Sequence, residues 1–536
     1  MKLIDSLEKD RASFIEAGYR LPRFDRKAVT ERTLETPEWI HFGAGNIFRA
    51  FIAAAHQKTL EAGGAETGLV VVGGHDFEVI DLAYRPYDNL TALATLNADG
   101  TVDKTVIGSV VKSVTADPRS ADWDWLAKAF RSPSLQMVSL TITEKGYSLT
   151  EGRGEYRNDV LRDFAEGPAH PSHTIGRLAA LCHERFVAGG MPVALVSMDN
   201  CARNGDRLRA SVIPFANAWV RSGLAKPGFV EWLLDPAKVS YPWTMIDKIT
   251  PRPDASVSRI LAESGLEDTV IRHTSGGAYV APFVNAEAAE YLVVEDSFPN
   301  GRPALEKGGI LFTERETVEK VERMKVGSCL NPLHTALAIF GCLLGHTLIS
   351  EEMKDPQLRA LIERLGYEEG LPVAEDPGIV KPRDFLREVI EQRLPNPFLP
   401  DTPQRIACDT SQKLPIRFGG TLKAWNEDPG RDAKSLRFVP LVFAGWLRYL
   451  TGIDDAGKFF EPSPDPLLPR CRDVVAGLSL GDEGPFGERL GPLLSDASIF
   501  GLDLKEIGLA DRVEGYFAEM MAAPGAVRKL LVTLLS

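Results

Sequence analysis

The chain has 536 residues, and its 74 acidic and 61 basic side chains give a formal net charge of -13 at pH 7. This length exceeds one ordinary hydrophobic core and predicts two or three domains. Hydrophobic residues make up 44% and charged residues 25%, as in globular proteins. The acidic balance argues against a general nucleic-acid-binding protein, which needs a basic surface, so we expect no nucleic-acid partner.

The first ten residues lack the apolar segment of a secretory signal. No run of about 18 uncharged apolar residues follows, so we expect no membrane span. The cysteines show no CxxC pair, which indicates reduced thiols in a cytoplasmic protein and no metal site. They are Cys182, Cys201, Cys329, Cys342, Cys408 and Cys471.

A glycine-rich turn near the front of the chain predicts a dinucleotide site. Residues 39–42 predict a strand and residues 50–60 a helix, with Gly43-Ala44-Gly45 between them. In a dinucleotide fingerprint the first glycine makes the tight turn and the second lets the pyrophosphate approach the backbone. Phe48 occupies the third glycine position, so the fingerprint is incomplete, and an ordinary glycine turn is the alternative.

A second apolar run, residues 68–72, predicts the next buried parallel strand. Asp76 follows it, where an acidic residue contacts the ribose 2′-hydroxyl in NAD-binding folds. A carboxylate there favours NAD and repels the phosphate of NADP. The alternative is an ordinary loop aspartate.

Alternating segments then predict an α/β fold with a largely parallel sheet. In chain order they are extended hairpins over residues 92–114, a helix at 125–130, a strand at 135–143, a helix at 172–188 and a strand at 192–197.

Two polar residues follow predicted strands in this region. Asn200 comes after the strand at 192–197, and open α/β sheets bind ligands at carboxyl ends of strands. It is a candidate hydrogen-bond donor to a substrate oxygen, or else a turn or N-cap residue. Asp247 brings another carboxylate, with an ordinary loop position as its alternative.

The stretch from Glu322 to His334 carries the candidate chemistry. Oxidation of an alcohol by hydride transfer needs a base for the hydroxyl proton, and a lysine can serve when burial lowers its pKa. Lys325 is that candidate, and Glu322, one helical turn earlier, is either a proton relay or a surface partner. Asn331 precedes Pro332 and is either an oxyanion donor or the N-cap of a following helix. His334 can orient a substrate hydroxyl or be a structural histidine.

These segments together resemble the mannitol dehydrogenase superfamily of polyol and sugar-acid dehydrogenases. The matching segments, in the family's order, are 43–49, 139–147, 199–200, 246–251, 298–303 and 322–334. The resemblance implies a Rossmann-like N-terminal domain, a mostly α-helical C-terminal domain and an active site between them. We expect the domains at residues 1–300 and 301–536, since patterns after residue 303 are mostly helical.

The resemblance also implies roles for individual residues. Lys325 is the general base, Asn200 and Asn331 form an oxyanion pair, and Glu322 gates proton exit. Asp247 and His334 contact substrate. The cofactor-binding residues are Gly43, Gly45, Asn46, Ile47, Arg49 and Asp76. This chain has one residue more between Lys325 and Asn331 than the family has.

Arg405 and Lys413 match an arginine and a lysine that serve the family's substrate pocket. Cys408 stands where polyol dehydrogenases can carry a histidine. Losing that donor while keeping Arg405, Lys413 and the nearby Arg417 favours a carboxylated substrate, because arginine binds carboxylates in bidentate fashion. The alternative is that these cations lie on the surface.

The resemblance, together with these cations, therefore implies an NAD-dependent oxidoreductase that interconverts D-fructuronate and D-mannonate, without a metal. Alternatives are reduction of tagaturonate, oxidation of a neutral polyol such as mannitol or arabinitol, and a catalytically silent NAD-binding sensor. We expect a small-molecule sugar-acid substrate, no membrane association, and a monomer or small homo-oligomer.

Overall fold

A computed structural model of the chain describes residues 1–4, 7, 9–152 and 154–536. It contains two compact units. The N-terminal unit comprises residues 1–97 and 101–319, and the C-terminal unit comprises residues 98–100 and 320–536. The domain boundary that we expect at residue 300 stays a prediction.

The strands lie in the N-terminal unit. They are β1 (Tyr19–Arg20), β2 (Trp39–Phe42), β3 (Leu69–Gly73), β4 (Thr91–Leu96), β5 (Val102–Ile107), β6 (Val110–Thr115), β7 (Met137–Leu140), β8 (Thr150–Glu151), β9 (Glu155–Tyr156), β10 (Val193–Ser197), β11 (Val239–Ser240), β12 (Thr244–Asp247), β13 (Arg272–His273), β14 (Tyr279–Val280), β15 (Phe283–Glu287), β16 (Tyr291–Glu295) and β17 (Leu311–Thr313).

Six parallel strands form the main sheet in the order β11-β10-β7-β2-β3-β6. This is the strand order of a doubly wound dinucleotide-binding fold, with its switch point between β2 and β7. The predicted Rossmann-like N-terminal domain is confirmed. The carboxyl ends of β2 and β7 are therefore the expected edge for a ligand.

Both faces of this sheet are buried, which explains the continuous apolar runs. Ile40 and Phe42 of β2 pack into one core with helices that follow β6, β7 and β10. Trp39 lies in a second core on the opposite face, with the helix that follows the glycine turn. Alternate residues of one strand thus stabilise both layers.

Four smaller sheets accompany the main sheet in the described residues. They are a four-stranded one of order β1-β5-β4-β15, a three-stranded one of order β12-β16-β17, and the two-stranded pairs β8-β9 and β13-β14. The predicted hairpin over residues 92–114 is correct only for β4 and β5, which pair in antiparallel fashion. β6 instead joins the parallel sheet beside β3. The strand predicted at 135–143 is also too long, because β7 ends at Leu140 and a short helix begins at Thr143.

The α-helices of the N-terminal unit cover the sheets. They are α1 (Arg11–Glu16), α2 (Arg26–Glu35), α3 (Ala53–Glu61), α4 (Glu78–Ala83), α5 (Ala121–Arg131), α6 (Thr143–Gly146), α7 (Asn158–Glu166), α8 (Thr174–Val187), α9 (Asn204–Arg221), α10 (Phe229–Leu234) and α11 (Ala255–Glu263).

The C-terminal unit is helical, as predicted. Its helices are α12 (Arg315–Met324, which starts in the N-terminal unit), α13 (Asn331–Leu344), α14 (Ile349–Glu352), α15 (Pro356–Arg364), α16 (Pro382–Glu388), α17 (Pro403–Ile406), α18 (Thr410–Glu427), α19 (Phe438–Leu450), α20 (Leu468–Asp473), α21 (Gly487–Leu494), α22 (Ala497–Phe500), α23 (Ala510–Met521) and α24 (Ala526–Leu535).

Shorter helical turns interrupt or extend these elements. The π-helical turns are Phe48–Ile52, Lys325–Cys329, Leu365–Gly370 and Val389–Arg393, and the 3-10 turns are Arg85–Tyr87, Leu305–Gly308, Leu371–Val373 and Ala433–Ser435.

One continuous helical stretch, Arg315–Leu344, is long and apolar enough in composition to cross a bilayer, and 72% of its most apolar window is buried inside the protein. Such burial is also typical of a core helix. The six cysteines are free thiols, as expected.

Candidate active site

The glycine turn after β2 has the geometry that only glycine permits at its first position. Gly43 has φ +120°, and a Cβ there would lie 2.7 Å from Thr141 Oγ1. At Gly45, by contrast, an added Cβ would meet nothing within 4 Å. The first glycine is therefore required by the fold, and the second leaves open space above the backbone, as a bound pyrophosphate needs.

Phe48 occupies the position of the third glycine, which in a standard fingerprint allows the helix to pack closely on the strand. In this protein its ring stacks on another ring instead. Its ring lies 4.2 Å from that of His41, with an angle of 14° between the planes. Phe48 also begins the π-helical turn that precedes α3. The widened turn lets an aromatic side chain occupy a place where a standard fingerprint has no side chain.

Asn46 and Arg49 brace the glycine turn. Asn46 Nδ2 donates to the Pro251 carbonyl oxygen at 3.1 Å, and its Oδ1 accepts from Arg49 at 3.0 Å. Arg49 also donates to the Ala281 carbonyl oxygen at 2.7 Å, and burial lowers the pKa of its guanidinium. Both residues line the cavity described below, whereas the half-buried Ile47 is not among its lining residues and packs against the core. We conclude that these three residues shape the turn.

Asp76 follows β3 and is held by two donors. Its carboxylate accepts from the backbone N–H of Glu78 at 3.2 Å and from the hydroxyl of Thr274. Gly276 lies close to the same carboxylate, since a Cβ there would be 2.9 Å from Asp76 Oδ2. The acidic group is thus fixed at the strand end where a ribose hydroxyl is recognised in NAD-binding folds.

A cavity of about 670 Å³ lies at this edge of the N-terminal unit. The glycine turn, the end of β3 with Asp76, and the loop after β7 line it. Residues of these three segments in the lining are Gly43, Ala44, Gly45, Asn46, Arg49, Gly73, Gly74, His75, Asp76, Thr141, Ile142, Thr143, Lys145 and Gly146. Its volume and position at the switch point fit a dinucleotide.

Asp199 organises the loop after β7, which the sequence patterns did not reveal. Its two carboxylate oxygens accept from the backbone N–H groups of Ile142 and Thr143, each at 2.9 Å. The Tyr147 hydroxyl donates to it at 2.6 Å. Burial raises the pKa of Asp199, and these hydrogen bonds oppose that rise. They also hold Thr143 at φ +63°, a conformation that needs external support.

Asn200 and Asp247 lie at strand ends of the N-terminal unit. Asn200 is exposed, three residues after β10 ends, and Arg203 rather than Asn200 is the N-cap of α9, so the N-cap alternative for Asn200 is wrong. Asp247 is the last residue of β12 and is buried, not an ordinary loop residue.

In the C-terminal unit, Lys325 is buried and begins a π-helical turn directly after α12, which carries Glu322. The backbone N–H of Leu330 bonds to the Lys325 carbonyl oxygen at 3.1 Å, five residues back along the chain. A π turn holds one residue more than an α turn. The π turn lies in the segment where this chain has one residue more than the family that it resembles.

Asn331 is the first residue of α13, so the alternative in which its side chain caps the helix is wrong. The N-cap is Leu330, and no side chain caps the helix there. The helix therefore begins at Asn331 itself and not at the residues after it. Arg417 donates to Thr335 Oγ1 at 2.6 Å and to the Asn331 carbonyl oxygen at 3.4 Å, which ties α18 to this turn of α13.

His334 lies one turn further, near a group of charged residues. Its Nε2 is buried, makes no hydrogen bond to the described residues, and lies 3.7 Å from Asp401 Oδ2. Burial lowers the pKa of His334 to about 4; Asp401 opposes this, and the positive charges of Arg417, Arg405 and Arg393 reinforce it. The imidazole is thus neutral at pH 7.

Arg405 and Lys413 lie near this histidine. Arg405 forms an ion pair with Asp401, and its side chain is 61% exposed, which keeps the surface alternative open. Lys413 donates to the carbonyl oxygens of Ile406 and Cys408. Burial, and next the charge of Arg417, lower the pKa of Lys413. The C-terminal unit thus gathers the cationic side chains of Arg393, Arg405 and Arg417 around His334. Sequence reasoning missed Arg393 and also the acidic Asp401 beside the histidine.

Comparisons with known proteins assign both parts of the chain to one family. The family described as "Mannitol dehydrogenase Rossmann domain" matches residues 37–307, and "Mannitol dehydrogenase C-terminal domain" matches residues 317–520. The D-mannonate oxidoreductase of Thermotoga maritima is 50% identical over 99% of this chain and 98% of its own.

Two solved structures are similar over nearly the whole chain. A substrate-free D-sorbitol dehydrogenase has a TM-score of 0.76 and 25% identity, covering 96% of this chain and 100% of its own. The Pseudomonas fluorescens mannitol 2-dehydrogenase, in a ternary complex with NAD and D-mannitol, has a TM-score of 0.68 and 26% identity, covering 100% of this chain and 99% of its own. On the family matches and the shared fold, the chain belongs to the mannitol dehydrogenase family of oxidoreductases.

Proposed function

We propose that this chain catalyses the NAD-dependent interconversion of D-fructuronate and D-mannonate. The observation that carries the proposal is the 50% identity to a D-mannonate oxidoreductase over almost the full length of both chains. Identity at this level without large insertions or gaps favours the same substrate class over a neutral polyol.

The charges of the C-terminal unit support a carboxylated substrate. Arg393, Arg405 and Arg417 all lower the pKa of His334 through their charge, so they lie close to one imidazole. The charges of Arg417 and Arg405 likewise lower the pKa of Lys413, so this lysine lies close to both. A carboxylate entering this group would replace unfavourable repulsion among the cations by charge-assisted hydrogen bonds. A neutral polyol would gain no such compensation.

The N-terminal unit supports NAD as the cofactor. The cavity of about 670 Å³ lies at the switch point of the sheet, beside the glycine turn and the fixed carboxylate of Asp76. That carboxylate would repel a ribose 2′-phosphate and accept from a 2′-hydroxyl. When bound, NADH supplies the hydride for the keto carbon of the substrate.

We assign proton transfer and binding of the substrate oxygens to side chains in the segments that resemble the family. In the reductive direction the Lys325 ammonium gives a proton to the carbonyl oxygen of the substrate as that carbon is reduced, and Glu322 returns the lysine to its protonated form. The amides of Asn200 and Asn331 donate hydrogen bonds to the same oxygen as negative charge develops on it. Asp247 and the neutral His334 bind substrate hydroxyl groups.

The experiment that tests the proposal is NADH oxidation by the purified protein with fructuronate, tagaturonate and fructose in parallel, repeated with NADPH. We expect the highest kcat/KM with fructuronate and NADH. Equal or better turnover of tagaturonate would reassign the substrate, and turnover of fructose alone would overturn the role of the cationic group. Binding of NADH without turnover of any of the three would favour the sensor alternative. We further propose that the enzyme acts in the cytoplasm as a monomer or small homo-oligomer.

A further inference from the structure

A chain of hydrogen bonds runs beneath the ligand edge of the parallel sheet, between β2 and β7. Trp39 Nε1 donates to Ser139 Oγ at 2.7 Å. Ser139 Oγ lies 2.6 Å from His41 Nδ1, and His41 Nε2 lies 2.8 Å from Thr141 Oγ1. Trp39, His41 and Ser139 are fully buried, whereas Thr141 is half-buried at the end of the chain of bonds.

One direction of donation along this series of hydrogen bonds satisfies every buried donor in it. The indole N–H is a donor only, so Ser139 Oγ accepts from Trp39. The Ser139 hydroxyl proton must then be donated, and His41 Nδ1 is its other recorded partner among the described residues. His41 Nδ1 is therefore the acceptor and Nε2 carries the proton, which it donates to Thr141 Oγ1. The Thr141 hydroxyl proton remains available for a ligand.

The position of Thr141 identifies the ligand atom. Thr141 is one of the residues that line the cavity at the switch point, and its Oγ1 would be 2.7 Å from a Cβ at Gly43, the first glycine of the turn. In this fold the pyrophosphate of a dinucleotide lies against the glycine turn. We propose that Thr141 donates a hydrogen bond to a pyrophosphate oxygen of the bound dinucleotide, and that His41 is the positioning residue that fixes Thr141 as a donor. This inference rests on the proposed dinucleotide cavity.

Two features keep His41 in this role. Burial lowers the pKa of its imidazole to about 3, so the ring stays neutral and retains one donor and one acceptor nitrogen. The Phe48 ring stacks on it at 4.2 Å and fixes its plane. An aromatic residue at the third glycine position thus has a function that a glycine would not supply.

The test is binding of NADH, ADP-ribose and AMP to the wild type and to three variants, T141V, T141S and H41F. ADP-ribose contains the pyrophosphate and AMP does not. Because a hydrogen bond to a charged group contributes about 1.5–3 kcal/mol, T141V should weaken NADH and ADP-ribose binding by roughly 10- to 100-fold. T141S should restore binding, and AMP binding should not change.

A double variant separates positioning from general structural damage. H41F should weaken NADH binding in the wild-type background but have little further effect in the T141V background, because the two side chains act on one hydrogen bond. Additive effects of H41F and T141V would overturn the role of His41. Unchanged ADP-ribose binding by T141V would overturn the contact with the pyrophosphate. Failure of the wild type to bind either NADH or ADP-ribose would instead overturn the proposed function.

Discussion

Gly43 and Thr141 approach each other so closely that no side chain fits between them. A Cβ on Gly43 would lie 2.7 Å from Thr141 Oγ1, and the glycine has φ +120°. At Gly45, two residues later, an added Cβ would meet no atom within 4 Å. We therefore expect the two glycines of this turn to serve different purposes, the first for the fold and the second for the ligand.

The substitutions G43A and G45A should separate these purposes. G43A should lower the thermal unfolding temperature, because positive φ costs an L-residue on the order of 1–3 kcal/mol before the clash is counted. G45A should leave the unfolding temperature unchanged but weaken NADH binding, since its methyl group would occupy the space for the pyrophosphate. Thermal unfolding and NADH titration measure the two effects. Wild-type NADH affinity in G45A would contradict the assigned position of the pyrophosphate.

Lys325 is buried at the start of the π turn, and replacing it tests its proposed role as the general base. K325M preserves much of the side-chain volume but removes the ammonium group that would exchange the proton with the substrate. We expect kcat to fall by roughly 10²–10⁴-fold, the usual contribution of a general acid or base, with NADH affinity retained. The matched control is K320M, on the preceding turns of the same helical stretch, where Lys320 faces Glu375 at 4.0 Å. A comparable loss in K320M would indicate damage to the helix instead.

The buried strands could be predicted from the sequence because their apolar runs reflect burial on both faces. β2, β3 and β10 were predicted to within a residue at each end. The strand β6 was assigned to a hairpin because local alternation does not say which strand a segment pairs with. Its parallel pairing with β3 is a contact between segments distant in sequence.

The candidate site was predictable where its residues lie in one short segment. Lys325 and His334 belong to such a segment, whereas Asp401 reaches His334 only through the fold. The π turn was not predictable from periodicity either, because the spacing of apolar residues does not show where a helical turn holds one residue more. The π turn ends at Cys329, and Asn331 begins α13 instead of capping it.

Arg405 should discriminate carboxylated from neutral substrates. R405M removes a cation that can form a bidentate pair with a carboxylate, and its exposed side chain makes damage to the fold small. We expect kcat/KM for fructuronate to fall by roughly 10- to 100-fold, and that for fructose to change much less. The control is R387M, which removes an exposed arginine paired with Asp384 at 3.0 Å in the same unit. Equal losses for both substrates would show that Arg405 does not recognise the carboxylate.

Glu352 should make the protein less stable at alkaline pH. Its carboxyl group is fully buried against Gly341 of α13, both oxygens lack a hydrogen bond to the described residues, and burial, then the charge of Asp355, raises its pKa to about 9. Between the ordinary value of 4.5 and about 9 the folded state holds a proton that the unfolded state has lost. The free energy of unfolding therefore falls as pH rises through this window, by at most about 1.4 kcal/mol per pH unit.

The substitution E352Q removes this titration, so the unfolding temperature of the variant should depend less on pH between 5 and about 9 than that of the wild type. The amide keeps the size of the side chain and leaves any pH-independent cost of burial in place. The decisive quantity is thus the slope against pH, measured by thermal unfolding across the range. E351Q is the matched control, because the exposed Glu351 pairs with Lys354 at 2.7 Å on the surface. Parallel slopes for E352Q and the wild type would mean that Glu352 is ionised in the folded protein at neutral pH.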